Sequence, residues 1–169
     1  MNREIREKID RILDDLPEDE LNQVYQTAAC IHRKYMFKAN ILQRGVTIST
    51  VFAEGKEIVT AWDNAFASQI SDETKEAIYY DQYKWHIFSY GKQDCLQAEM
   101  ARRAFDSEAK DAIYVMNQSH SVFLYEHAAD LVAADFDSGE DMYIFDRHLT
   151  WTYVVTHEEM CGPYFYSLK

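Results

Sequence analysis

The chain has no glycine-rich phosphate cradle. Its five glycines are scattered and none builds GxGxxG or a P-loop, which excludes nucleotide binding through those backbone-amide loops. HExxH and CxxC are missing as well, and with them the sequence signature of a closed zinc site or of any cofactor box; no metal and no cofactor is expected. No apolar run approaches the roughly 18–20 residues needed to cross a bilayer, so no membrane association is expected. The three cysteines, Cys30, Cys95 and Cys161, are odd in number and far apart. Secreted disulfide frameworks are denser and even, so these read as reduced thiols. The first residues, MNREIREKID, are charged and periodic and contain no apolar signal core, which makes a cytoplasmic address the expectation.

What is present is acid. The formal net charge is −12, and it is unevenly placed. Residues 1–45 hold eight acids and eight bases, whereas residues 46–169 hold twenty-one acids and nine bases. A surface of that sign repels phosphate backbones, so nucleic acid is not an expected partner. It attracts basic proteins.

Apolar periodicity divides the chain into an N-terminal αα-hairpin, 1–45, and an acidic α+β domain, 46–169. Ile5, Ile9, Ile12, Leu13 and Leu16 share one helical face, and Pro17 breaks that helix. Leu21, Val24, Tyr25, Ala28, His32 and Tyr35 follow at helical spacing until Gly45. Residues 44–57 read as a linker. Ile58, Ala61, Trp62, Ala65, Phe66 and Ile70 then form a helical stripe, and Ser71 is placed to cap the next short helix. Trp85–Tyr90 reads as a first strand. A helix capped by Asp94 follows, with Leu96, Met100, Ala101 and Phe105 inward. Two hairpins are expected, Ala112–Met116 with Ser121–Tyr125 and Met142–Phe145 with Trp151–Thr156, and a short helix lies between them near Ala128–Ala134. Tyr164–Tyr166 supplies an edge strand. The order implies a mostly antiparallel sheet of about five strands with helices on one face.

Trp62 to Phe66, the WHIFS of Trp85 to Ser89, Ala104-Phe105, and the WTYVVTHE of Trp151 to Glu158 with CGPYFY after it occur in a distinctive order. In that order the chain resembles an uncharacterised bacterial domain-of-unknown-function family of small intracellular proteins, over about residues 57–166. The resemblance implies a single domain and brings no activity with it.

The residues that could carry a site are aromatic, histidine and acid: Trp85, His86, Tyr90, Trp151, Tyr153, His157, Glu158 and Tyr164. On an alternating strand Trp151, Tyr153, Val155 and His157 share a face, and Trp85 and Tyr164 on that face would complete an aromatic patch with a histidine and glutamate rim; the alternative is that the same aromatics are core against the helices. No catalytic residue is marked by a motif. Cys95 beside Asp94 is a poor nucleophile because the acid disfavours its thiolate. The carboxylates Glu158-Glu159, Asp130, Asp135, Asp137, Glu140 and Asp141 are candidates for acid–base pairs.

The leading expectation is a small acidic binding protein docking a basic protein. In size and charge alone it is analogous to immunity proteins that neutralise cationic nucleases. The alternative is a hydrolase using His157 or His86 with a nearby carboxylate. Residues 1–45 are a candidate homodimer surface through Ile5, Ile9, Ile12 and Leu16.

Overall fold

A computed structural model describes residues 3–158 and 160–168. The described residues form two compact units, one up to Lys38 and one from Ala39 onward. The first unit holds α1 (Arg3–Asp14) and most of α2 (Glu18–Gln43), separated by a turn at Pro17. No described residue of α1 is buried, and its charges pair along the helix surface, Arg3 with Glu7 and Lys8 with Glu4.

The second unit is α+β, built on one antiparallel sheet of seven strands among the described residues. The strands are β1 (Thr47–Val51), β2 (Leu96–Gln97), β3 (Ala112–Asn117), β4 (Val122–Glu126), β5 (Met142–Asp146), β6 (Trp151–Val155) and β7 (Tyr164–Ser167), in the order β1-β4-β3-β5-β6-β7-β2. Both expected hairpins are there. The sheet exceeds the five strands read from the sequence because β1 lies inside the expected linker, and Leu96–Gln97, read as helix, pairs with β7.

The helices are α3 (Gly55–Phe66), α4 (Asp72–Ala77), α5 (His86–Ser89) and α6 (Ala98–Ser107), with a 3-10 turn at Ala133–Phe136. They cover both faces of the sheet, not one. Trp62, Phe66, Ile78, Trp85, Ile87 and Phe88 pack on Met116, Tyr143, Phe145, Val154 and Tyr164. On the other face Phe105 of α6 stacks on Tyr153 at 4.5 Å and meets Trp151 and Phe136 edge-on. The reason lies in β5 and β6, where every residue is buried; strands buried on both faces need cover on both sides.

Two other local readings change. WHIFS is helix, not strand: Trp85, Ile87 and Phe88 are buried, whereas His86 is half-buried and Ser89 lies at the helix end, a pattern with no period of two. α6 starts at Ala98, so Asp94 is not its cap, and Leu96 and Met100 point out while Ala101 and Phe105 are buried. Ser71 does cap α4, its hydroxyl accepting from the Thr74 N–H at 3.2 Å.

The turn between β5 and β6 is organised by one buried carboxylate. Asp146 accepts from the N–H groups of His148, Thr150 and Trp151 and from the Thr150 hydroxyl, at 2.6–3.2 Å. Leu149 can then hold the left-handed conformation that closes the hairpin.

Candidate functional site at one end of the sheet

Register places three loops at the same end of the sheet. Met142 opposes both Asn117 and Val155, so the β3–β4 turn, the residues before β5 and those after β6 are neighbours. That end carries His120, Asp141 and His157. The segment from Tyr79 to Tyr90 lies against it.

Asp141 is the centre. Its side chain has no exposed surface. Oδ1 accepts from the His157 backbone N–H at 2.7 Å and from His157 Nδ1 at 2.8 Å, and Oδ2 accepts from Trp85 Nε1 at 3.1 Å. One carboxylate therefore ties the end of β6 to the start of α5. The His157 ring, 41% exposed, is held by that bond through Nδ1, with Nε2 on the far side of the ring.

The second histidine is set in the same way. His86 Nδ1 bonds the carbonyl of Ile78, which leaves its Nε2 outward. Around these two imidazoles stand Trp85, at 4.4 Å from His86 and 6.2 Å from His157, and Tyr83, at 5.0 and 5.7 Å, with Tyr90 at 5.2 Å from His86. Tyr90 is exposed and Tyr83 half-buried, whereas Trp85 lies behind them in the core.

Behind the rings is a partly buried ion pair, its lysine sealed and its aspartate partly exposed. Lys84 donates to both oxygens of Asp63, at 2.8 and 3.0 Å, and the Tyr80 hydroxyl donates to the same carboxylate at 2.6 Å. The Lys84 ammonium sits over the Tyr80 ring at 4.5 Å. Burial, followed by the Asp63 charge, pushes the Tyr80 phenol far above its usual range, so it stays a donor. Burial also raises the Tyr143 phenol, whose oxygen accepts from the Trp85 N–H at 3.2 Å. Burial, and then the Lys84 charge, lowers the His120 pKa, with Asp63 and Asp81 acting against both.

Of the residues expected to form one patch, Trp85, His86, Tyr90 and His157 come together. Glu158 follows His157 as an exposed residue, its carboxylate accepting from the Cys161 thiol at 3.3 Å. Trp151 and Tyr153 do not join them; they are buried under α6. Tyr164 faces the opposite way from those two, because its partner in β6 is Val154, and it stacks on Phe88. Trp85 is likewise on the α3–α5 side. The expected single aromatic face is thus split by the sheet, and only its histidine end is accessible. Glu159 lies outside the described residues.

The sequence reading misses Tyr83, Lys84, Asp63 and Tyr80, and holds Asp141 only as one acid among several. Asp141 had a signal: it immediately precedes β5, and His157 lies just past the paired strand. Burial raises the Cys95 thiol and Asp94 adds to the rise against the Gln97 hydrogen bond, which disfavours the thiolate. No group of three or more His, Cys, Asp or Glu arranged to hold a metal occurs among the described residues. Among them, too, no helix is long and apolar enough to cross a membrane.

No curated protein and no solved structure matches the chain. A family model described as Domain of unknown function (DUF4275) matches residues 35–165, taking in the segment of resemblance almost whole and extending it back through β1 into α2; the chain belongs to that family.

Proposed function

We propose that this chain is a binding protein whose acidic unit docks a basic protein partner, with the histidine end of the sheet as its anchor. The observation that carries the reading is the Asp141 clamp. A wholly buried carboxylate holds His157 and Trp85 in place so that Tyr83, His86, Tyr90 and His157 present ring surface beside the exposed acids Asp81 and Glu158. Rings fixed in advance lose little entropy on binding, and ring faces next to carboxylates suit lysine and arginine side chains. The net charge of −12 supplies attraction at long range. An immunity role against a cationic toxin is the biological setting this profile fits.

The test uses a folded basic protein and a lysine- and arginine-rich peptide as probes in a calorimetric titration. Affinity should fall steeply with salt and at least tenfold in Tyr83→Ala and His157→Ala. Neutralising Asp111 and Glu126, exposed at the opposite end of the sheet, should matter much less. Equal losses from both ends would sink the anchor.

A second reading has its own observation. The 2.8 Å bond from His157 to a buried aspartate, with Nε2 outward, is the arrangement of a general base held by an orienting carboxylate. Hydrolysis of a panel of ester and amide substrates by the full chain should then vanish in His157→Gln and fall sharply in Asp141→Asn. Identical background rates for all three proteins would eliminate it.

A further inference from the structure

The second helix carries an exposed, self-complementary face. Leu21, Val24, Ala28, Ile31 and Tyr35 follow one another at intervals of three and four residues, the spacing of a coiled-coil seam. Val24, Ile31 and Tyr35 are 37%, 64% and 68% exposed, and Ala28 is exposed too. The charges on the same helix are segregated. Glu18, Asp19 and Glu20 open it, Arg33, Lys34 and Lys38 lie toward its far end, and Leu21 to His32 contain no acid, lysine or arginine.

We infer that α2 pairs with α2 of a second copy of this chain, antiparallel and symmetric about Ala28. In that register Leu21 meets Tyr35, Val24 packs beside Ile31 at one position from direct opposition, and the small Ala28 meets its own counterpart, where the axes approach most closely. Each acidic start lies along the basic stretch of the partner copy. A parallel pair would set acid against acid and base against base, so the charge pattern selects the orientation. A two-fold axis makes one sequence fulfil both halves of the interface. The occupant is a second copy because the complement to this surface, in both charge and seam, is the surface itself. The helical segment also suits association: residues 1–45 carry no net charge, while the remainder of the chain carries all of the −12. α1 adds Ile5, Ile9 and Ile12, each about half exposed, as further apolar surface in the same unit.

Sedimentation equilibrium of the full chain tests this. The wild type should show a concentration-dependent dimer, and Ile31→Glu should weaken it at least a hundredfold while leaving the circular dichroism of the sheet unit intact. Two charge variants check the register. One carries lysine at positions 18, 19 and 20, the other glutamate at 33, 34 and 38. Each alone should be monomeric, and an equimolar mixture should form the heterodimer. Spin labels at Asn22 and at Gln26 read the orientation: an antiparallel pair gives a long distance at 22 and a short one at 26, whereas a parallel pair gives similar distances. A chain monomeric at every concentration reached, a dimer indifferent to Ile31→Glu, or similar label distances would each overturn the inference.

Discussion

Strand β5 is bracketed by two buried aspartates that do different work. Asp146, at its end, gives its oxygens to three backbone N–H groups and one hydroxyl within a five-residue turn. Asp141, just before its start, gives its oxygens to the indole of Trp85 and the imidazole of His157, as well as to one backbone N–H. Both carboxylates are satisfied, so burial alone does not distinguish them. The partners do. A carboxylate engaged with backbone shapes the chain, whereas one engaged with side chains from two distant segments aims those side chains. Backbone shaping is concentrated at one end of the hairpin and side-chain positioning at the other, where the proposed recognition would take place.

The sharpest way to break that contrast is through stability. Asp146→Ala removes four hydrogen bonds to a charged acceptor and should cost about 3 kcal/mol, read as a fall of roughly 5–10 °C in Tm, with probe affinity of the folded protein unchanged. Loss of affinity in that variant would erase the distinction between the two ends. Lys84→Met strands Asp63 behind the recognition end; because Asp63 is partly exposed, the cost should be about 2 kcal/mol in a urea melt. The turn end can also be separated by alkali. Burial pushes the Tyr125 phenol up to about 12, so the folded state keeps a proton that the unfolded chain loses near 10. Its contribution is complete below pH 10 and is lost between 10 and 12, at roughly 1.4 kcal/mol per pH unit, and Tyr125→Phe should flatten the alkaline stability curve by that slope. Asp141→Asn should cost about 2 kcal/mol, since the amide keeps the acceptor for His157 but sets a buried NH2 group against the Trp85 Nε1–H. It should also lower probe binding at least tenfold. An Asp141→Asn variant that binds like the wild type would make Asp141 a second Asp146.

How much of this was legible in the sequence depends on the range of the contacts involved. The β5–β6 hairpin is readable because its two apolar runs are neighbours in the chain and Asp-Arg-His between them is polar. The N-terminal helices are readable from periodicity and Pro17. WHIFS misleads because so short a run of aromatic and apolar residues cannot separate a strand from a helical turn; what decides is that Trp85 and Phe88 must both reach the α3 layer. β2 has only two residues and exists because β7 offers it an edge, which no local pattern announces. The site shows the same division. His157 beside Asp141 follows from hairpin register, but Tyr83, Lys84 and Asp63 meet it through packing between segments far apart in sequence. Tyr164 falls on the face opposite to the expected one because its side depends on which β6 residue it pairs with.

The bond from Trp85 to Asp141 also makes the molecule its own optical probe. Trp62 donates to Thr152 in a sealed layer and Trp151 is shielded by Phe105 and Phe165, so the fluorescence of both indoles is isolated from the solvent side. Trp85 alone among the three packs against the two imidazoles, its ring at 4.4 Å from His86 and 6.2 Å from His157. A change in the packing at that end of the sheet is therefore reported by the intrinsic light of one residue, without any label.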